Sequence, residues 1–416
     1  MIRTARWTLG ISALSCLVAA FAPLVIPSGA AAQTAVASTS TKSSSPVREG
    51  LQKFVDDGEL SGVVTVVGDQ GGVIDVQVLG LSDLERRTPM RRDTIFRIAS
   101  MTKPITALAV MQLVEAGKID VNDPVEKYLP EFKGQMLLAS KDADTVTLKK
   151  PARPITVKDL LTHTSGLPQY PAGMADVYQK RNWTLNETTI AVSQSPLLFE
   201  PGSKWSYCNP GIDTLGRIVE KVSGQSYEDY LAAKIFKPLG MKDTTPYPRS
   251  EQLERTAVTY GKKEGKLVAT PGGVLDYARD AKHPVPAGGL YSTADDLAKL
   301  YRCLLSGGTL DGKKIIGTET LAEMTRNQTA DIKAGFIEGS VWGFGFGLVS
   351  ESKGATENLS PGSFGHGGAY GTQAWIDPKK GLFTILLIQR TGLAGSDGSA
   401  MRKALHDASV KVITAR

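Results

Sequence analysis

Two periods of apolar spacing organise this chain of 416 residues. Between Val47 and Asp57 the apolar positions recur every three or four residues, which predicts an amphipathic helix. The stretch after it, GVVTVVGDQGGVIDVQVLG, sets two β-branched runs around a Gly-rich turn and predicts a hairpin. Near Ile105 the pattern changes: Ile105, Ala107, Leu108, Met111, Leu113 and Val114 run almost all round a helix, so this element is expected to be buried. From there to about Pro284 the chain reads as helix and loop, with ITVKDLL, PGIDTLGRIVEKVSG and SYEDYLAAKIF at helical spacing between Gly and Pro breaks. Strand character returns in VWGFGFGLVS and in QAWIDPKKGLFTILLIQ, which turns at Asp377 to Gly381. A last helix is expected from about Ser399 to Ile413.

Strands near both ends, with helices between, predict an α/β (α+β) protein with one sheet assembled from the two terminal regions. The sheet lobe spans about 47–99 and 285–416, and a mostly helical lobe spans about 100–284. A cleft between such lobes is the natural ligand site. Ser100 stands where the chain passes from one lobe to the other.

The start of the buried helix carries unusual polar residues, in FRIASMTKPITALAVMQLVEAG. Pro104 lacks an N–H and is tolerated only in a first turn, which puts Ser100 at the N-terminal end. Lys103 lies three residues on, on the same face. One reading is a Ser cap and a solvated Lys. The other is a nucleophile beside a cation, with a helix-start amide for an oxyanion. The spacing alone does not choose, because Ser-x-x-Lys occurs a second time, from Ser350 to Lys353, in a Gly-, Ser- and Pro-rich loop.

Composition narrows the classes. Lys and Arg exceed Asp and Glu by 48 to 42, a net +6, but the basic residues form no stripe with interleaved aromatics, which argues against nucleic-acid binding. At the N-terminus Arg3 and Arg6 precede an apolar run from Leu9 to Ile26, then Ala30 and Ala32 at small-residue cleavage spacing. This predicts a secretory signal peptide over 1–32, a Ser/Thr-rich linker over 33–46 and an exported, periplasmic or secreted, domain over 47–416. An uncleaved membrane anchor is the second reading of that run. Export leaves Cys208 and Cys303, as a bridge or as two buried thiols. His163, His283, His366 and His406 show no metal-ligand spacing, and nothing calls for a cofactor.

A serine hydroxyl needs a base. KWSYCNPG holds the sequence's one Tyr-x-Asn, Tyr207 and Asn209, just before a helix. A phenol beside a Lys cation can serve as base, and Asn can fix the Lys or orient an amide; the alternative is an Asn-Pro turn with Tyr207 as packing. SFGHGGAYG holds the one His-x-Gly, His366 to Gly368, where glycine lets backbone approach a ligand and Ala369 can offer an N–H. The alternative there is a Gly-rich turn.

Taken together and in this order, Ser100-Met-Thr-Lys103, Tyr207-Cys-Asn209 and His366-Gly-Gly368 resemble the three motifs of the serine penicillin-recognising superfamily. The resemblance is to the branch of class C β-lactamases, D-alanyl-D-alanine carboxypeptidases, D-aminopeptidases and family VIII carboxylesterases, and covers nearly all of the mature chain. ITVKDLLTHTSGLP, FEPGSKWSY, PLGM and PAGGLYSTADDLAKL agree with it. It implies a β-lactamase/transpeptidase-like fold with an antiparallel sheet flanked by helices. It also implies that Ser100 is acylated, that Lys103 and Tyr207 share base and acid duties, that Asn209 assists, and that the amides of Ser100 and Ala369 form the oxyanion hole.

The third motif departs from class C β-lactamases, which usually carry Lys where this chain has His366. A His with an ordinary pKa of about 6.5 is mostly neutral at pH 7.5, so its attraction for a carboxylate is expected to be weak and to grow on acidification. The Gly-x-Ser-x-Gly signature of α/β-hydrolases is absent. The favoured function is an exported serine hydrolase, a carboxylesterase on small esters; a β-lactamase, D-alanyl-D-alanine carboxypeptidase or D-aminopeptidase is the alternative. A non-catalytic cell-wall-binding or scaffold relative would be expected to have lost Ser100, Lys103 or Tyr207, and all three are present.

Overall fold

Ser45 opens the first helix, α1 (Pro46–Asp56), its hydroxyl accepting the Val47 amide at 3.2 Å. The computed structural model describes residues 45–169, 180–270, 280–393 and 395–414. The expected leader and all but the last two residues of the linker lie outside them. Among the described residues, no helix is long and apolar enough to cross a membrane.

The predicted hairpin is β1 (Gly62–Asp69) and β2 (Gly72–Asp83), extended by the short β3 (Thr88–Pro89). The other strands come from the far end of the chain: β4 (Ser340–Trp342), β5 (Gly347–Val349), β6 (Phe364–Gly367), β7 (Gln373–Asp377) and β8 (Leu382–Leu387). Their order in the sheet is β4-β5-β6-β7-β8-β1-β2-β3, with every neighbouring pair antiparallel. The seam between the two terminal regions is β1 on β8, with Val64 opposite Leu387 and Val66 opposite Ile385.

Both faces of that seam are buried, because successive side chains of a strand point to opposite sides. Val64, Val66, Ile385 and Leu387 join the larger core with the helices α2 (Thr102–Glu115), α3 (Asn209–Ser223) and α4 (Ala294–Leu305). On the other face Val63, Val67 and Leu386 pack with Val47 and Leu51 of α1 and with Met401 and Leu405 of α5 (Ala400–Thr414). Helix α2 is buried from Thr102 to Met111, as its apolar circumference requires, and packs on α3 and on β6.

Two features differ from the sequence reading. VWGFGFGLVS is two strands, β4 and β5, because the chain turns at Gly345 (φ +76°), where a Cβ would lie 2.4 Å from Ala107 of α2. The middle region contains two hairpins besides its helices, Leu137–Lys141 with Val146–Lys149 and Tyr260–Lys263 with Lys266–Ala269. Neither belongs to the eight-stranded sheet, and Val146–Lys149 is exposed throughout, so neither carries the apolar signal of a core strand.

Candidate active site

Ser100 lies in a 3₁₀ turn, Ala99–Met101, that runs directly into α2. Pro104 is the third residue of α2, inside its first turn. The residue before the serine, Ala99, is left-handed (φ +47°), a conformation costing a residue with a Cβ about 1–2 kcal/mol. Neighbouring bonds hold it there: Ile98 donates its N–H to Leu290 O at 3.0 Å, and Ile98 O accepts from Met101 N at 3.2 Å and Thr372 Oγ1 at 3.1 Å. Met101 is thus the first donor of the turn, and the Ser100 amide ahead of it is one of those a helix start leaves for an outside acceptor. Neither the turn nor α2 has a side-chain cap bond, so the capping reading of Ser100 fails.

Lys103 is wholly buried, and its Nζ has three polar neighbours: Ser100 Oγ at 3.1 Å, Asn209 Oδ1 at 2.7 Å and Ala287 O at 2.6 Å. Burial pushes its pKa down to about 7, although the Asp213 carboxylate, and secondarily Cys208, act in the opposite direction. A neutral amine has two N–H groups and one lone pair. Asn209 Oδ1 and Ala287 O can only accept, which leaves the lone pair for the Ser100 hydroxyl, the one neighbour able to donate. Ala287 is fixed in turn by its N–H, which donates to Asp213 Oδ1 of α3 at 2.8 Å.

Tyr207 and Asn209 enter at the head of α3, where Pro210 occupies the first turn and Cys208 Sγ accepts the Gly211 amide at 3.4 Å. The Tyr207 ring centroid lies 4.6 Å from Lys103 Nζ. His163, buried and left-handed (φ +61°), accepts the Cys208 amide on Nδ1 at 3.1 Å and sets its ring 4.5 Å from that of Tyr207. The amide of Asn209 donates to Gln169 Oε1 at 2.7 Å. Cys208 and Cys303 are both buried and free, and burial raises each thiol to about 12.

His366 is in β6, paired with Ala374. Its Nδ1 meets Gly367 O at 2.6 Å, and since a carbonyl only accepts, Nδ1 carries the proton and Nε2 the lone pair. Burial, with Lys103 adding to it, pushes the ring's pKa down to about 3. The expected growth of positive charge on mild acidification is therefore corrected: His366 stays neutral across the working range. Beyond it, Gly368 approaches the serine turn closely, since a Cβ there would lie 2.5 Å from Ile98 O and 3.3 Å from Ala99 Cβ. Gly368 donates its own N–H to Thr372 O at 2.7 Å, and Ala369 follows at the exposed rim.

The structure thus brings Ser100, Lys103, Tyr207 and Asn209 into one cluster and sets His366, Gly368 and Ala369 along its side. It adds residues that the sequence reading missed. Trp205, Phe336 and Trp342 surround Tyr207 at 6.2, 4.9 and 6.3 Å between ring centroids. Ala287 and Asp213 fix the lysine, and His163 backs the tyrosine. Of these, His163, Trp205 and Ala287 lie inside family-like text, whereas Phe336 and Trp342 arrive from a distant segment without a local mark.

Residues 47–408 match the family described as Beta-lactamase. The chain belongs to the beta-lactamase family. Esterase EstB of Burkholderia gladioli is 32% identical over 378 residues, 84% of this chain and 90% of EstB. Protein Rv1367c of Mycobacterium tuberculosis is 31% identical over 365 residues, 84% of this chain and 91% of that protein. Among solved structures, EstCE1, a hydrolase with promiscuous acyltransferase activity, superposes with a TM-score of 0.73 at 26% identity, covering 87% of this chain and 97% of EstCE1. The fold is that of a β-lactamase/transpeptidase-like protein, and this member of the beta-lactamase family is a serine hydrolase.

Proposed function

We propose that the protein is an exported carboxylesterase that cleaves small neutral esters through an acyl-enzyme on Ser100. The observation that carries the substrate class is His366. A β-lactam or a cell-wall peptide brings a carboxylate to the third motif, and the side chain there is buried and uncharged, beside a wall of Trp205, Trp342 and Phe336. An apolar acyl or alkoxy group meets no such mismatch. The esterase relative supports the same reading; export rests on the leader pattern.

In the first step Ser100 Oγ bonds to the ester carbonyl carbon while its proton passes to the lone pair of Lys103 Nζ. The carbonyl oxygen becomes an oxyanion facing the amides of Ser100 and Ala369. The tetrahedral intermediate then collapses: the bond to the alkoxy oxygen breaks, and the Lys103 ammonium returns the proton to it, with Tyr207 beside the path. A water repeats the sequence on the acyl-enzyme, releasing the acid and restoring the serine. Asn209 and Ala287 accept from Lys103 throughout and keep its nitrogen aimed at Oγ.

The test is a comparison of kcat/KM at neutral pH for p-nitrophenyl butyrate and nitrocefin. The ester is expected to be turned over much faster. A higher value for nitrocefin would replace the esterase reading with a β-lactamase.

A further inference from the structure

The hairpin of Leu137–Lys141 with Val146–Lys149 has an open edge: among the described residues its sheet ends at two strands. Backbone groups of successive residues alternate sides along a strand, and two bonds fix the phase here. At the turn Asp142 donates its N–H to Thr145 O at 3.0 Å, so Thr145, and with it Thr147, aim their backbone groups at the neighbouring strand. At the other end Leu138, which stands opposite Leu148, donates its N–H to Leu197 O at 2.8 Å, away from Leu148. Both ends therefore direct the N–H and C=O of Val146 and Leu148 outward, off the open edge.

The side chains divide by face. Leu137 and Leu197, a bridged pair, are buried, whereas Leu138, Leu148 and Val146 lie on the opposite, outer face. Leu198, next to Leu197, joins them, so Val146, Leu148 and Leu198, which are 53%, 40% and 51% exposed, form an apolar stripe in water. Ser140, Thr147 and Lys149, on the inner face, are exposed as well. The hairpin thus stands clear of the body, and another strand can reach its edge. An open edge strand carrying apolar side chains is a template for pairing with a further chain.

The sequence of the strand, DTVTLKK from Asp144 to Lys150, fits a second copy of itself. In an antiparallel pair about a two-fold axis at Thr147, Val146 stands opposite Leu148 of the second copy, and Asp144 opposite Lys150 of the second copy. Outward-facing residues then meet outward-facing ones, as the ladder requires: Val146 exchanges both backbone bonds with Leu148 of the second copy, and the symmetric pair repeats them. An axis at Val146 would set Leu148 opposite Asp144 of the second copy, and an axis at Leu148 would set Val146 opposite Lys150 of the second copy. Of the three, the axis at Thr147 alone pairs apolar with apolar and acid with base.

We propose that the Val146–Lys149 edge joins the same strand of a second copy across a two-fold axis at Thr147, making one four-stranded antiparallel sheet from two hairpins and one apolar stripe from two. A pair of such short strands is a smaller contact than the roughly 1,200–2,000 Å² of stable complexes, so the dimer is weak and forms as protein concentration rises.

The experiment is analytical sedimentation of the purified protein over a concentration series, paired with cysteine cross-linking. A reversible rise from monomer to dimer is expected. Leu148→Lys is expected to weaken dimerisation by about tenfold, the loss of two cross-strand apolar pairs. Lys150→Asp, facing Asp144 of the second copy, is expected to weaken it by about threefold, and adding Asp144→Lys to restore it. Because these side chains are exposed, melting temperatures in dilute solution should be unchanged. Thr147→Cys is expected to give a disulfide dimer on mild oxidation, since the two thiols then face one another in a pair whose Cα atoms stand about 4.5 Å apart. Thr145→Cys, whose symmetry mate is out of disulfide reach, is expected to stay monomeric, and Cys208 and Cys303 are buried. A monomer at every concentration overturns the proposal and gives the edge to a peptide of another protein. A dimer indifferent to Leu148→Lys, or equal cross-linking of the two cysteine variants, overturns it by placing the axis elsewhere.

Discussion

The chain contains the tetrapeptide Ser-x-x-Lys twice, and the two copies end in opposite environments. At the first, Lys103 is fully buried at a helix start, touches Ser100 Oγ and two acceptors, and is pushed down to a pKa of about 7. At the second, Lys353 is 46% exposed, lies 2.8 Å from Glu338 and 2.7 Å from Glu351, and these carboxylates push its pKa up. Ser350 is exposed and donates to the Gly339 carbonyl at 2.8 Å rather than meeting the lysine. A lysine becomes a base when it is desolvated without a carboxylate close enough to restore its charge. The motif supplies the two groups; the packing around them decides which form the amine takes.

The sharpest way to break this comparison is to remove each serine. Ser100→Ala is expected to abolish fluorophosphonate labelling and to lower ester turnover by on the order of 10³-fold or more, the scale seen when a nucleophile is deleted. Ser350→Ala is expected to leave both within about twofold, as for a surface change away from the chemistry. Loss of labelling in the Ser350 variant would exchange the roles of the two copies.

How much of this was legible in the sequence follows from how local each signal is. Pro104 and the apolar run behind it marked the helix start at Ser100, and the apolar runs of β1 and β8 marked strands from the two terminal regions, because these are patterns within a few residues. The three motifs named Ser100, Lys103, Tyr207, Asn209 and His366 as a set, and the fold gathers them. The electrostatics were not legible. His366 was expected near 6.5, and the strands and aromatic rings that exclude water from it come from Trp342, Tyr207 and β7, far apart in sequence. Ala287 and Asp213 were missed for a related reason: one acts through its backbone and the other through that backbone. The hairpins at 137–149 and 260–269 escaped because exposed strands carry no apolar period.

A second way to sharpen the comparison is to titrate it. With Lys103 near 7, its neutral form fades as pH falls below that value, so kcat/KM for a neutral ester is expected to fall by about tenfold per pH unit on the acid side and to level off above pH 8. His366, held near 3, adds no limb between pH 5 and 8. Lys353, raised rather than lowered, adds none either. The profile is to be measured with p-nitrophenyl butyrate, correcting for the ionisation of the p-nitrophenol released. A flat profile from pH 5.5 to 8 would show that neutral Lys103 is not the group receiving the serine proton.

The smallest effect is expected at the second lysine. Lys353 forms two close ion pairs, and short distances alone invite the conclusion that it holds the edge of the sheet together. Its partners argue otherwise: Glu338 and Glu351 are 79% and 64% exposed, so water competes for all three charges and the side chains lose entropy in pairing. Removing the charge with Lys353→Met should therefore leave the urea unfolding midpoint nearly unchanged in low salt, and still less changed in 0.5 M NaCl, where the screening length falls to a few ångströms. Esterase kinetics should be unchanged. The measurement is a pair of urea denaturation curves, one at each salt concentration. A clear drop in the midpoint that survives high salt would mean that the lysine stem packs against the loop, and that the second copy contributes through its carbon chain rather than its charge.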